Sequence, residues 1–180
     1  MLEACAATYG YEAVVLEKER YRGRIISSTY IKELMAAGEI ALADRLLGYP
    51  YGIEGVVEHG KQLGRTLGFP TFNVTWPQEK IAPPRGVYYS RIWVDGTGYA
   101  GITNVGVKPT VTTEGKLLAE SFLFDYEGSA YDKEVRIELL DFARPEEKFA
   151  GVQEMKAQID RDIAGGWEYF ARGEGSAYFL

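Results

Sequence analysis

The chain has 180 residues, 46% of them hydrophobic, 26% charged and 13% aromatic, and its 20 basic and 26 acidic side chains leave a net charge of −6. That is about one domain of ordinary globular composition, with apolar material enough for a core, which excludes disorder for the bulk of the chain. No apolar run approaches the roughly 18 residues that span a bilayer, no basic segment precedes an apolar stretch as in a secretory leader, and the single Cys5 and single His59 exclude an internal disulfide, cysteine cages and paired-imidazole chemistry.

The chain therefore reads as a soluble cytoplasmic protein with no membrane partner. It has no basic run longer than a dipeptide, which argues against nucleic acid as a partner. An acidic chain that binds an anionic nucleotide must hold it with backbone amides and a metal ion.

In chain order, Ala13-Val14-Val15-Leu16 is a short candidate strand. Ile26-Ser27-Ser28-Thr29 then offers hydroxyl N-caps to a helix carrying Ile31, Leu34 and Met35, which Gly38 stops. Ile40, Ala43, Leu46 and Leu47 predict a second helix, ended by Gly48 and Pro50. From Tyr51 to about Ala143 the texture changes to strands, with candidates at 52–58, 71–75, 86–94, 99–104, 116–125 and 133–142. Asp95-Gly96 is a tight-turn signal, and Val135, Ile137 and Leu139 alternate with Glu134, Arg136 and Glu138 as in a half-buried antiparallel strand. Short strands at regular spacing predict a closed or nearly closed barrel. After Pro145 the helical period returns in Val152, Met155, Ile159 and Ile163.

The segment richest in chemistry runs from Gly60 to Asn73. Gly60, Gly64 and Gly68 recur every four residues, so the backbone can approach a ligand and aim N–H groups at phosphate oxygens. On the glycines alone the segment reads more readily as an ordinary loop between strands, and its spacing is not that of a P-loop. Thr71 and Asn73, two apart on a strand, project from one face. Their hydroxyl and amide oxygens are hard ligands suited to magnesium, or plain residents of a solvated strand face. Glu120 shares a strand face with Leu118, Phe122 and Phe124. A carboxylate among apolar neighbours suits a general base, and equally a strand-end glutamate paired with arginine.

Together, Gly55–Asn73, Pro84–Tyr88, Asn104–Thr110, Glu120 and Arg144–Phe149 resemble, in order and spacing, the riboflavin kinases, and specifically the C-terminal kinase module of the bifunctional bacterial riboflavin kinase/FAD synthetases. The likeness covers about residues 51–165. It implies a mainly β fold, a six-stranded antiparallel Greek-key barrel with C-terminal helices, and transfer of phosphate from ATP to riboflavin to give FMN. It also implies that Thr71 and Asn73 hold Mg–ATP and that Gly60, Gly64, Arg65, Gly68, Phe69 and Pro70 cover its phosphates. Glu120 would be the catalytic base, and Asn104, Arg144 and Met155 would lie near the flavin. Phe72 stands where the family has alanine, with its side chain directed into the barrel. Lys108 stands for the usual arginine.

Residues 1–50 resemble the end of the adenylyltransferase domain of the same bifunctional proteins. Ile26-Ser27-Ser28-Thr29-Tyr30-Ile31-Lys32 is similar to a motif that grips triphosphate at a helix N-terminus. The His-x-Gly-His nucleotide site of that domain is absent from this chain, so the resemblance implies FMN synthesis without FAD synthesis. The expected division is a truncated, α-rich part of an α/β nucleotidyltransferase domain over 1–50 and a kinase domain over 51–180. The protein is expected to be a monomer, with the adenylyltransferase half as an intramolecular partner in a longer parent. Two readings compete: a barrel that binds flavin or nucleotide without turnover, and an oligonucleotide-binding barrel, whose basic groove conflicts with the net charge.

Overall fold

The strand-like stretches assemble into one antiparallel sheet in a computed structural model, which describes residues 2–14, 16–59, 68–108 and 115–174. In chain order the elements are α1 (Leu2–Tyr9), β1 (Arg20–Tyr21), β2 (Arg24–Ile25), α2 (Ser28–Ala37), α3 (Ile40–Leu47), β3 (Tyr51–Val56), β4 (Thr71–Thr75), β5 (Gly86–Val94), β6 (Thr97–Lys108), β7 (Lys116–Leu123), β8 (Glu134–Pro145) and α4 (Val152–Ala171). The six-stranded sheet has the order β3-β8-β5-β6-β7-β4. Within it β5, β6 and β7 form a meander and β8 returns beside β5, which is a Greek key.

The sheet curls until its outer strands meet, yet among the described residues backbone pairing across that seam is one bridge, Glu58 to Asn73. The Glu58 N–H donates to the Asn73 carbonyl at 2.8 Å. Elsewhere the seam is filled by side chain: a methyl group added at Gly55 would sit 2.7 Å from Val74 Cγ1. The barrel is thus curled and partly closed, because β4 gives its full ladder to β7.

Alternation divides the residues between two faces. Phe72, Val74, Tyr88, Val105, Ala119, Leu123, Val135, Ile137 and Leu139 fill the interior. Leu34 and Met35 of α2 and Ile40 and Ala43 of α3 belong to the same core cluster. On the outer face Val87, Ile102 and Phe124 form a second cluster against Ile163 and Phe170 of α4. Helix α4 lies close to the sheet because Gly166 has no side chain; a Cβ there would come within 2.7 Å of Phe124.

The caps of α2 follow the expectation: the Ser27 side chain accepts from the Tyr30 N–H at 3.3 Å, and Gly38 closes the helix in the left-handed conformation. Gly48 does the same for α3. Two expectations fail. Ala13, Val14 and Leu16 form no strand (Val15 lies outside the described residues), since Val14 and Leu16 are exposed and find no strand to pair with. The expected C-terminal helices are, among the described residues, one 20-residue α-helix, whose apolar period runs unbroken through Gly165 and Gly166.

Where α3 meets β3, Asp44 is fully buried. Its Oδ1 accepts from the Tyr51 N–H at 2.8 Å, and its Oδ2 has no hydrogen-bond partner among the described residues. Burial, opposed by the Tyr51 N–H and reinforced by the charges of Glu138 and Asp141, pushes its pKa up to about 8. A raised carboxyl pKa means the folded state binds the extra proton. The stabilisation is complete below about pH 4 and is lost as pH rises toward 8. Asp44→Asn, which keeps the acceptor for Tyr51, is therefore expected to gain on the parent from pH 5 to pH 8, by roughly 3 kcal/mol at the upper end. Thermal melts across that range check this, and a difference independent of pH overturns it.

Candidate functional site

Strand register brings together residues that lie far apart in sequence. Glu58 bridges to Asn73, Asn73 pairs with Glu120, Glu120 with Asn104, Asn104 with Val87, and Val87 with Arg144. Cross-strand partners share a face, so these six positions form one row over the curled sheet. The row lies on the outer face, that of α4, because Phe72, Val74, Tyr88, Val105 and Ala119 take the intervening interior positions.

At the centre of the row is Glu120, half-buried. Thr71 Oγ1 donates to Glu120 Oε1 at 2.7 Å. That bond uses the one hydroxyl proton of Thr71 and leaves the oxygen lone pairs available. Asn73 is buried on one side of Glu120. On the other side is Asn104, whose Nδ2 approaches Glu146 Oε1 at 3.5 Å. The assembly sets a carboxylate on β7 beside a hydroxyl and an amide, both neutral oxygen donors, on β4. Among the described residues no three His, Cys, Asp or Glu side chains gather to hold a metal. Two neutral oxygens on one strand are the donor type that suits a hard divalent cation bringing anionic ligands of its own.

Phe69 stands at the end of the row nearest β4. It is buried, meets Phe122 edge-on at 6.1 Å, and carries the ammonium of Lys156 at 4.8 Å from its ring centre. Gly68 and Pro70 beside it are exposed. Gly60, Gly64, Arg65 and the side chain of Lys108 lie outside the described residues.

At the far end, Arg144 is engaged with α4. Its Nε and Nη2 donate to Asp162 Oδ1 and Oδ2 at 2.8 and 2.7 Å. Its Nη1 donates to the Pro145 carbonyl at 2.9 Å. Gln158 adds a bond to Asp162 Oδ1 at 2.8 Å. Asp162 holds the guanidinium pKa above its ordinary value. Arg144 thus ties β8 to α4. Met155 is half-buried in the first turns of that helix.

Sequence reasoning missed Asp162, Gln158, Glu146, Lys156, Glu58 and Lys116. Glu58 and Glu146 stand inside quoted motifs, and Gln158 and Asp162 are spaced i, i+4 on one helix; the contacts of Lys116 with Glu58 and of Lys156 with Phe69 join different elements, which no spacing along the chain announces.

A model of the riboflavin kinase family, Flavokinase, matches residues 47–170. The bifunctional riboflavin kinase/FMN adenylyltransferase of Bacillus subtilis (strain 168) is 39% identical over 159 residues, covering 87% of this chain and 50% of that protein. Its counterpart from Escherichia coli (strain K12) is 36% identical over 173 residues, covering 94% of this chain and 54% of the relative. The chain thus spans about half the length of the curated relatives it matches. Among solved structures, a macrolide-efflux protein from Streptococcus pneumoniae superposes with a TM-score of 0.80 at 29% identity, over 90% of this chain and 53% of that one. The riboflavin kinase of Trypanosoma brucei, at 19% identity and a TM-score of 0.51 over 72% of this chain and 85% of that one, shares the fold. No described helix is long and apolar enough to cross a membrane.

Proposed function

This chain belongs to the riboflavin kinase family, and from that premise we propose that it transfers the γ-phosphate of ATP to the ribityl 5′-hydroxyl of riboflavin, giving FMN and ADP. The observation that carries the reading is the Thr71–Glu120 bond of 2.7 Å beside Asn73. It joins a proton acceptor to hard-cation ligands on one face.

Phosphoryl transfer to a primary alcohol needs in-line positioning, charge neutralisation and a base. Glu120 takes the 5′-hydroxyl proton while the oxygen bonds to the γ-phosphorus and the bond to the β-phosphate oxygen breaks. Thr71 orients Glu120 by its hydrogen bond. Thr71 and Asn73 would hold a magnesium ion through their oxygens, and it would supply the charge neutralisation. Gly60, Gly64, Arg65, Gly68, Phe69 and Pro70 cover the phosphates. The flavin borders Asn104 and the first turns of α4 at Met155, and Arg144 acts through the helix it anchors.

Residues 1–50 are assigned to the end of an adenylyltransferase-like domain and 51–180 to the kinase domain, with the kinase step alone expected of this chain. Incubation with riboflavin, ATP and magnesium, followed by chromatographic separation of flavins, tests both parts. FMN without FAD is the expected product. Riboflavin bound but unconverted would replace the enzyme reading with that of a flavin-binding barrel, and FAD would overturn the expectation that this chain performs the kinase step alone.

A further inference from the structure

Beside the row, at the seam of the sheet, a second polar cluster joins three strands. Glu58 follows β3, Thr75 ends β4 and Lys116 begins β7. The Glu58 carboxylate accepts from the Thr75 hydroxyl and from Lys116 Nζ, at 2.8 Å to Oε1 and 3.0 Å to Oε2. Those bonds, that from Lys116 first, hold its pKa below the usual carboxylate range.

Glu58 and Lys116 are each about two-fifths exposed, at 42% and 43%, so the pair contributes little to stability. Its position is another matter. Glu58 makes the one backbone bridge to Asn73, and its side chain is the neighbour of Asn73 in the row. A bare carboxylate there would face the polyphosphate that the proposed function places on Thr71 and Asn73, in a chain whose net charge is already −6. Lys116 reaches across the end of β4 and cancels that charge at the place where it would do most harm.

Resting on the phosphotransferase reading, we propose that Lys116 is a positioning residue for the nucleotide and acts through Glu58. It keeps the Glu58 carboxylate paired and turned from the phosphates, so that the Asn73 end of the row accepts Mg–ATP. Its effect should fall on ATP and not on riboflavin.

The test uses the full chain in three forms: parent, Lys116→Met, and Lys116→Met combined with Glu58→Gln. Lys116→Met is expected to raise the KM for Mg–ATP about tenfold, with the KM for riboflavin within about twofold and the melting temperature nearly unchanged. Adding Glu58→Gln is expected to return the KM for Mg–ATP to within about threefold of the parent, since the charge that Lys116 cancelled is gone. An unchanged KM for Mg–ATP, equal rises for both substrates, or failure of Glu58→Gln to rescue would each overturn the proposal. Calorimetric titration of the same three proteins with Mg–ATP gives the comparison without turnover. A parent that makes no FMN yet shows the affinity pattern sinks the reaction and leaves the role of Lys116 standing.

Discussion

Replacing Glu120 with Gln is expected to lower kcat for FMN formation by about 10²- to 10⁴-fold, the range typical of a lost general base. The substitution is nearly isosteric, and Gln still offers an oxygen to the Thr71 hydroxyl that now donates at 2.7 Å. Neighbouring Asn73 and Asn104, paired with this position on either side, keep their places. KM for both substrates should therefore stay within about threefold, because what is lost is an interaction made in the transition state. Steady-state kinetics with riboflavin and Mg–ATP decide it. A kcat within threefold of the parent would remove Glu120 from the role of base and leave positioning as the chief source of catalysis.

The largest loss of stability is expected at Asp162. Arg144 and Asp162 are both largely buried, with side chains 18% and 6% exposed, and their two parallel bonds tie β8 to α4. Removing one partner strands the other charge, so Asp162→Ala should destabilise the fold by about 3 kcal/mol. Asp162→Asn retains one acceptor and should lose less. The loss is expected to spread to the site, since α4 also packs Ile163 and Phe170 on the outer face and carries Lys156 over Phe69. Denaturant unfolding of both variants measures this, and a loss under about 1 kcal/mol for Asp162→Ala would mean that apolar packing holds α4 without the ion pair.

Much of the fold was legible because the relevant physics is local. Turn residues marked off the six strands of the sheet, with period-2 alternation clear in the last, and Ser27, Gly38 and Gly48 marked helix ends through backbone hydrogen bonds and a left-handed turn. Phe72, between Thr71 and Asn73, lies in the interior as the alternation of a strand requires. Where local preference lacked a partner it misled: Ala13, Val14 and Leu16 have strand-like composition, but no neighbouring edge takes them.

The site divides in the same way. The residue types at Thr71, Asn73 and Glu120 and their same-face spacing along each strand follow from the sequence by itself. That Asn73, Glu120, Asn104 and Arg144 form one row was decided by register, a choice made between strands up to dozens of residues apart. The partners of the charged groups were decided at the same level. Arg144 meets Asp162, Lys116 meets Glu58, and Asp44 is buried beside Glu138 and Asp141, because sheet curvature and helix docking bring those elements together. A sequence determines what each side chain can do with its neighbours along the chain; which charges meet, and which is buried unpaired, depends on burial and distance, and those exist only once the sheet has curled and the helices have docked.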